Sequence, residues 1–350
     1  MIYSLTHIAD LDGMASAALL VRNYGMDIGN IVFVNYGNPE FGNAMDSISG
    51  IGGPGNALVI TDFSMTEENS AVMNRVLSGF KKKGNMIIWL DHHPWGKSLV
   101  AGASGYCDVM IVGENPCFCG AELTYRLLCK KDRYSDELMR ITHLSDFWLK
   151  SKSKRDNDLV NNIAFGLRHL RSYADSEDRM REFVSGLAGG NLYPEVVDNS
   201  YKDYMKKTRP VLRGMLKTCS VVRVNGIRIG IGFGRVLSAQ EACMAIIERL
   251  KCDVGIYVSV ESLHGSMRSK RREETWGIDI LKLAGSMSGG GHPLAAGFSI
   301  EHSGYDLSKA QDRKRVVERI RETAERLYKK SIPYFQQNTG KHVTKSHHSR

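Results

Sequence analysis

The sequence predicts an α/β fold with two domains, the first built on a parallel sheet and the second smaller. With 350 residues, of which 42% are hydrophobic, the chain is long enough to bury two cores of ordinary size. Short apolar runs lie at 2–8, 31–35, 57–61 and 86–90, with helical patterns between or after them at 14–22, 67–81 and 120–130. Because strands that alternate with helices form parallel sheets, this half of the chain predicts a parallel sheet covered by helices.

A break in this pattern precedes the second half of the chain. Residues 135–190 are helical in pattern, "AGGNLYP" interrupts them, and a polar helix to about 218 predicts a connector. After it, "CSVVRVNGIRIGIGFG" predicts two strands around an Asn225-Gly226 turn, "VGIYVSV" predicts another strand, and a basic helix follows near 309–330. The predicted organisation is a first domain at 1–190, a helical linker at 191–218, a second domain at 219–335 and a disordered tail at 336–350.

Composition predicts a cytoplasmic protein with reduced thiols. No run of 18 apolar residues is present, and the N-terminus lacks the basic start and apolar centre of a signal peptide, so no membrane contact is expected. The seven cysteines form no Cys-x-x-Cys pair. Cys117 and Cys119 are separated by one residue, which is poor spacing for zinc.

The formal net charge of +9 is unevenly distributed along the chain. Residues 202–217 carry six cations and one anion, and residues 309–330 carry nine cations and four anions. Clusters of this kind suit a polyanionic partner. For the second cluster a solvated helix face is the stronger interpretation, because its apolar residues recur at helical spacing.

Acidic residues and histidines follow three of the predicted strands. The residues concerned are His7, Asp10 and Asp12 in "HIADLDG", Asp62 in "ITDFS", and Asp91, His92 and His93 in "LDHHP". For the last group alone, a polar strand end before a turn at Pro94 is the plainest interpretation. Because the carboxyl ends of parallel strands share one edge of a sheet, however, the three groups are expected to converge there. Asp146, in "HLSDFW", lies in the helical stretch that could cover this edge.

Such a set of side chains predicts a metal centre. Carboxylates within a few ångströms of one another resist ionisation, and divalent cations remove that cost. Imidazole and carboxylate ligands without thiolate favour Mn²⁺, with Mg²⁺ or Co²⁺ as substitutes, over structural zinc. Because six or seven ligands exceed what one ion needs, two ions that share a bridging carboxylate are expected, and such pairs serve in-line attack on phosphorus.

Motifs in both halves of the chain resemble those of the DHH phosphoesterase superfamily. "HIADLDG", "ITDFS", "LDHHP" and "HLSDFW" occur in the family's order, and "GSMRSK" and "GSMSGGGHPLAAGF" resemble its DHH-associated C-terminal domain. The resemblance covers residues 1 to about 330. By length the chain resembles most the nano-RNase and cyclic-dinucleotide phosphodiesterase branch, and it is too short for RecJ-type exonucleases that append an oligonucleotide-binding barrel.

The resemblance implies a role for each motif residue in the first domain. The implied ligands of two Mn²⁺ ions per chain are His7, Asp10 and Asp62 for one ion, and Asp12, Asp62, His92 and Asp146 for the other. Asp62 would bridge the two ions. Asp91 would orient the site, and His93 would face the scissile phosphate or the leaving oxygen. His7 lies three residues before Asp10, whereas several relatives have an interval of four.

The resemblance also implies a substrate site in the second domain. Its residues are Arg268, Ser269, Gly289, Gly290, Gly291 and His292. Glycines expose backbone N–H groups and allow a phosphate to approach closely, while Arg and His side chains add donors to its oxygens. For the glycine run alone a flexible loop is an equal interpretation, but Arg268 on a preceding strand and "AAGF" after the run favour the substrate site.

The function implied by the resemblance is hydrolysis of phosphodiesters. We expect short single-stranded RNA or DNA to be cut one nucleotide at a time by two-metal in-line attack of water. Linear or cyclic dinucleotides are the nearest alternative substrates, and 3′-phosphoadenosine 5′-phosphate is a third. A non-catalytic scaffold subunit of a nucleic-acid complex is the alternative of another class, against which the full set of motif carboxylates argues. The choice between RNA and DNA, and that between monomer and homodimer, stay open.

Overall fold

The structure of the protein is a computed structural model. It describes residues 1–37, 39–113, 117–147, 149–269, 279–292, 294–300 and 304–336. The chain divides into two compact units, Met1–Met205 and Lys206–Arg350. This division falls within the predicted linker at 191–218, and the finer domain boundaries stay a prediction. Of the predicted disordered tail, residues 337–350 lie outside the described part of the chain.

Unit 1 is built on a parallel sheet. Its strands, in the spatial order β2-β1-β3-β4-β5, are β1 Ile2–His7, β2 Ile31–Val34, β3 Ala57–Thr61, β4 Met86–Leu90 and β5 Val109–Ile111. The register pairs Thr6 with Thr61 and Thr61 with Leu90, so the carboxyl ends of the three central strands lie level. This level edge places every motif that follows β1, β3 or β4 side by side.

Helices cover both faces of this sheet. Their bounds are α1 Leu11–Tyr24, α2 Glu40–Gly50, α3 Glu67–Lys82, α4 Lys97–Ser104, α5 Gly120–Leu128, α6 Arg133–Asp146, α7 Lys154–Leu170 and α8 Ser176–Ala188. The next helix, α9 Glu195–Thr218, contains the division between the two units. Side chains of α1 and α5–α8 share one buried cluster with Phe33 and Val59. Side chains of α2–α4 share another with Leu5, Ile60 and Trp89. Successive buried side chains of β3 belong to opposite clusters, Val59 to the first and Ile60 to the second, as expected for a strand covered on both faces.

Unit 2 contains a mixed sheet in the order β10-β11-β9-β8-β7-β6. Its elements are β6 Ser220–Val224, β7 Ile227–Gly234, α10 Ala239–Arg249, β8 Val254–Ser259, β9 His264–Ser269, α11 Ile280–Gly285, β10 Gly290–His292, β11 Ala295–Ser299 and α12 Ala310–Gln336. Among these strands β7 and β8 pair in parallel, and the other pairs are antiparallel. The predicted α/β class with two domains is confirmed.

Most predicted elements occur with small changes at their ends. Strands β3 and β4 have the predicted bounds, and the predicted Asn225-Gly226 turn joins β6 to β7. Helix α1 begins at Leu11 rather than residue 14, because the side chain of Asp10 caps it by accepting hydrogen bonds from the amides of Asp12 and Gly13. The sequence analysis missed α2, α4 and β5, which are short or rich in glycine. No described helix is long and apolar enough to cross a lipid bilayer.

Candidate metal centre

The carboxyl edge of the parallel sheet gathers the predicted ligands. His7 ends β1, Asp62 directly follows β3, and the Asp91–His93 segment directly follows β4. Asp10 and Asp12 lie at the start of α1, which leaves the sheet at the same edge. Asp146 is the last residue of α6. All six predicted metal ligands therefore come together, although they belong to four separate segments of the chain.

The first group of possible ligand atoms contains His7, Asp10 and Asp62, whose ligand atoms lie within 4.8 Å of one another. His7 Nδ1 lies 3.5 Å from Asp10 Oδ2 and 3.6 Å from Asp62 Oδ2. Burial disfavours the charged imidazole, but the attraction of these two carboxylates outweighs it and raises the pKa of His7 to about 10. The three-residue interval between His7 and Asp10 thus brings both side chains to the same place.

A second group forms around His92 and contains Asp12 and Asp146. His92 Nε2 lies 3.7 Å from Asp12 Oδ2 and 3.6 Å from Asp146 Oδ2. The same nitrogen is 3.7 Å from Asp62 Oδ1. The His92 ring is held from the side by Phe147, whose ring packs against it edge-on at 5.9 Å. This arrangement matches the ligand set that the resemblance implies for the second ion.

Asp62 is a member of the first group, and its other carboxylate oxygen lies beside His92 of the second group. Oδ2 faces His7, whereas Oδ1 faces His92 and lies 3.8 Å from His93 Nδ1. The residue is buried and has a φ of 52°, a left-handed conformation that non-glycine residues adopt at a cost and that is concentrated at functional sites. Burial first, and then the charge of Asp10, raise the pKa of Asp62 to about 8.

Asp12 is fixed by the start of α5. The amides of Gly120 and Ala121 donate hydrogen bonds of 2.7 Å to its two carboxylate oxygens. A Cβ atom at Gly120 would lie 3.0 Å from Cβ of Asp62 and 3.1 Å from Oδ2 of Asp12, so a glycine allows this close approach. Burial, with the nearby charges of Asp62 and Asp146, raises the pKa of Asp12 well above its usual range.

Asp91 and His93 form a separate hydrogen-bonded pair. His93 Nδ1 lies 2.8 Å from Asp91 Oδ1, while Asp91 Oδ2 accepts hydrogen bonds from Trp95 Nε1 at 2.7 Å and Ser64 Oγ at 3.0 Å. The bond with Asp91 raises the pKa of His93 to about 9. Asp91 is buried, whereas 41% of the His93 side chain is exposed, so the imidazole is held at one nitrogen and open to solvent elsewhere.

Sequence reasoning missed several residues that support this centre. Ser64 and Trp95 orient Asp91, and both stand within four residues of a motif carboxylate, a position that signals a supporting role. Glu122 accepts hydrogen bonds from the Cys119 amide at 3.0 Å and from His143 Nδ1 at 2.9 Å, and so ties α6 to the start of α5. The spacing of Cys119 and Glu122 is that of a helix-capping box, which the sequence displays.

Tyr36 was also missed, although it follows a predicted strand as the motif residues do. Its ring packs edge-on against His7, with ring centres 5.6 Å apart, and stacks on Phe63 at 4.7 Å. Its hydroxyl oxygen accepts a hydrogen bond of 3.0 Å from the Ser64 amide. An aromatic residue two positions after β2 was the signal available in the sequence.

The predicted substrate-binding residues of unit 2 lie on neighbouring strands. Arg268 and Ser269 end β9, Gly290 and Gly291 lie in β10 opposite β11, and Gly289 directly precedes β10. Among the described residues no carboxylate forms an ion pair with Arg268, whose guanidinium donates to the Met267 carbonyl at 2.9 Å. His292 pairs with Ala295 through the backbone, and its side chain lies outside the described part of the structure, as do Lys270, Arg271 and Arg272.

Comparison with known proteins gives structural likenesses only. No protein-family model matches the chain, and no curated protein matches it. The structure of the pGpG-specific phosphodiesterase PggH from Vibrio cholerae matches with a TM-score of 0.55 at 13% identity, over 93% of this chain and 99% of that one. A manganese-bound exonuclease RecJ matches with a TM-score of 0.50 at 14% identity, over 93% and 90% of the two chains.

A second RecJ structure shows the same likeness over a smaller share of its length. RecJ in complex with Mn²⁺ from Thermus thermophilus matches with a TM-score of 0.50 at 14% identity, over 91% of this chain and 52% of that one. Both units of the present chain are included in these matches. The protein therefore has the fold of the DHH phosphoesterase superfamily.

Proposed function

We propose that the protein is a metal-dependent phosphodiesterase that hydrolyses short single-stranded oligonucleotides. The observation that carries the proposal is the position of Asp62, whose two carboxylate oxygens face two different groups of nitrogen and oxygen ligands. Two groups that share one carboxylate are the arrangement that two-metal phosphoryl-transfer sites use.

The residues present fit divalent cations. Asp62 Oδ2 and His92 Nε2 are buried and have no hydrogen-bond partner among the described residues. Buried polar atoms without partners are costly, and atoms aimed into a group of further ligands are explained by a cation. The ligand set of imidazole and carboxylate without thiolate favours Mn²⁺, Mg²⁺ or Co²⁺. His7, Asp10 and Asp62 would hold one ion, and Asp12, Asp62, His92 and Asp146 the other.

When bound, such cations stabilise the charge that develops on phosphoryl oxygens and lower the pKa of water. The protein's own groups supply the remaining functions. His93 keeps its proton at neutral pH because its bond with Asp91 raises its pKa to about 9. With Nδ1 held by Asp91, His93 can donate a proton from Nε2 to the leaving oxygen, which is general-acid catalysis. Ser64 and Trp95 fix Asp91 and hence the ring of His93.

Residues of unit 2 would bind the substrate phosphate. Arg268 has no carboxylate partner among the described residues and offers donors in a fork that matches phosphate oxygens. Ser269 and His292 would add further donors, and Gly289, Gly290 and Gly291 would let the phosphate approach the backbone. This assignment rests on the resemblance of the two motifs and on the shared sheet of β9, β11 and β10.

A linear dinucleotide is the second candidate substrate. The likeness to the pGpG-specific PggH extends over 99% of that protein, so both proteins are built from the same two units. Cyclic dinucleotides and 3′-phosphoadenosine 5′-phosphate are further members of the same chemical class. A non-catalytic scaffold would have no use for two groups of ligands with buried, unpartnered atoms, and the geometry therefore favours an enzyme.

The test is a product time course with Mn²⁺, Mg²⁺ or Co²⁺ on 5′-labelled RNA from two to 24 nucleotides, with pGpG and a cyclic dinucleotide alongside. We expect hydrolysis that depends on the metal and is fastest on the shortest RNAs. Greater activity on pGpG than on RNA dimers of other sequence would select the dinucleotide alternative. Absence of hydrolysis with all three metals would contradict the proposed enzymatic activity and favour the non-catalytic scaffold.

A further inference from the structure

The surface beside the candidate metal centre contains an exposed aromatic ring. Tyr36 is 44% exposed, although large aromatic side chains are usually buried. The other tyrosine among the exposed large hydrophobic residues in the described part of the chain is Tyr24, whose hydroxyl donates to the Leu128 carbonyl. Tyr36 differs from Tyr24 in its neighbour, since its ring packs against His7, a member of the first ligand group.

Tyr36 is the outer member of an aromatic stack that continues into the core. Its ring stacks on Phe63 with ring centres 4.7 Å apart and an angle of 23° between planes. Phe63 is fully buried and in turn stacks with Phe41 at 6.4 Å and 22°. Because Phe63 and Phe41 are buried, Tyr36 is the ring of this stack that a ligand in solution can reach.

The position of the Tyr36 ring is fixed by the same residues that build the centre. Its hydroxyl oxygen accepts a hydrogen bond from the Ser64 amide, and Ser64 Oγ donates to Asp91. Ser64 also lies two residues after Asp62, the shared carboxylate. The ring is therefore held both at its face, by Phe63, and at its hydroxyl, so binding a flat ligand would cost little conformational entropy.

Charge explains why an uncharged contact is needed here. In the described part of unit 1, no Lys or Arg forms an ion pair with Asp10, Asp12, Asp62, Asp91 or Asp146. Apart from bound cations and the histidines of the centre, these contacts offer a polyanionic substrate no Lys or Arg side chain to hold it. Stacking of a nucleobase on an aromatic ring supplies affinity without charge and tolerates any base, because every base has a π-face.

We propose that Tyr36 is the stacking platform for the nucleobase next to the scissile phosphate, an inference that rests on the proposed function. The ring's contact with His7 places a base stacked on it within one nucleotide of the ligand groups. Because purines have the larger ring surface, the platform favours a purine at this position. Tyr36 thereby selects nucleotides over small phosphodiesters that lack a base.

The test measures equilibrium binding rather than turnover. The probes are a purine dinucleotide whose scissile bridging oxygen is replaced by a methylene group, which cannot be hydrolysed, and two versions of this compound that each lack a different one of its two bases. Titration calorimetry in Mn²⁺ compares the wild type with Tyr36→Leu, Tyr36→Phe and the control Tyr24→Leu. Tyr36→Leu should weaken binding of the complete dinucleotide by about 10- to 100-fold. Tyr36→Phe keeps the ring and should stay within about threefold of wild type.

The probes that lack a base identify stacking as the cause. At whichever nucleotide Tyr36 holds the base, removal of that base should weaken binding to the wild type and leave Tyr36→Leu nearly unaffected, because the two changes remove the same contact. Equal losses on the complete probe and on both incomplete probes, or no effect of Tyr36→Leu, would overturn the platform. Metal content equal to wild type in Tyr36→Leu excludes damage to the ligand groups as the cause.

Failure of the platform and failure of the proposed function give different results. If the wild type hydrolyses natural dinucleotides and Tyr36→Leu binds the probe as well as wild type does, the proposed activity is supported and the stacking role of Tyr36 is wrong. If the wild type hydrolyses no phosphodiester but binds the probe through Tyr36, the stacking role of Tyr36 is supported as part of a nucleotide-binding surface and the proposed enzymatic activity is wrong.

Discussion

The two units use their sheets in different ways. In unit 1, the polar side chains lie beyond the carboxyl ends of parallel strands, where four segments of the chain meet. In unit 2, Arg268 lies within β9, with Ala295 of β11 on one side and Gly255 of β8 on the other. Loops at a parallel edge can aim many side chains at one point, whereas a residue inside a strand has its position set by its neighbours in the sheet. The first arrangement suits a metal centre, and the second suits a surface that a ligand lies against.

Glycines also have different roles in the two units. In unit 1, Gly120 lets a helix start approach two carboxylates, and in the same way Gly13 lies where a Cβ would meet the His7 carbonyl oxygen at 2.0 Å. In unit 2, a Cβ at Gly289 would meet the Gly297 carbonyl oxygen at 2.0 Å, whereas one at Gly290 would meet nothing within 4 Å. Of the triple glycine, Gly290 is thus open to a ligand, while Gly289 is required by packing.

The largest effect should come from the shared carboxylate in unit 1. Asp62→Ala should abolish turnover and remove more than one metal ion per chain, because both ligand groups use this side chain. Elemental analysis after dialysis against Mn²⁺ measures the metal, and Asp46→Ala, which changes an exposed carboxylate of α2, is the control. Retention of two ions by Asp62→Ala would rule out the bridge.

Within the same centre, the Asp91–His93 pair tests the general acid. Asp91→Asn should lower kcat by about 10- to 100-fold, the usual cost of losing an orienting partner. Because the Asp91 carboxylate raises the pKa of His93 to about 9, activity that needs protonated His93 falls as pH rises through that value. In Asp91→Asn this basic limb should move to lower pH, toward the ordinary histidine value of about 6.5.

A pH–rate profile of the wild type and of Asp91→Asn tests whether Asp91 acts through the pKa of His93. An unmoved basic limb in Asp91→Asn, with the same loss at every pH, would assign Asp91 a structural role only. Metal content should stay at the wild-type level in this variant, because Asp91 belongs to none of the groups of possible metal ligands.

The corresponding test in unit 2 removes the guanidinium of Arg268 in β9. Arg268→Ala should raise KM for an oligonucleotide about tenfold, the equivalent of one charge-assisted hydrogen bond, and leave metal content intact. Arg249→Ala, at the exposed end of α10, removes an equal charge from the same unit as the control. A fall by the same factor on an oligonucleotide and on a small phosphodiester dye would show that Arg268 does not bind substrate.

The smallest effects should separate the two glycines of unit 2. Gly289→Ala should lower the free energy of unfolding by about 1–3 kcal/mol, because the new methyl group meets the backbone of β11. Gly290→Ala should change it by less than about 0.5 kcal/mol. Denaturant titration measures both. If Gly290→Ala is as stable as wild type yet binds oligonucleotides more weakly, the open glycine contacts substrate; unchanged binding would remove it from the proposed site.

Sequence patterns predicted the candidate site better than they predicted its supports. His7, Asp10, Asp12, Asp62, His92 and Asp146 could be grouped in advance, because each follows a strand or lies in the one helical motif that remained. Ser64, Trp95 and Glu122 could not, since Ser, Trp and Glu at such positions are common and only the hydrogen bonds to Asp91, Cys119 and His143 distinguish them.

By itself the sequence determined the α/β class and the edge at which the ligands meet, because alternating strands and helices leave one parallel arrangement and one common carboxyl edge. Only the tertiary structure decided which oxygen of Asp62 faces which ligand group, and that the start of α5 holds Asp12 across 108 residues of sequence. It also decided that Tyr36 stacks on Phe63 beside His7. Such pairings depend on loop conformations and on contacts between distant segments, which no local pattern of residues encodes.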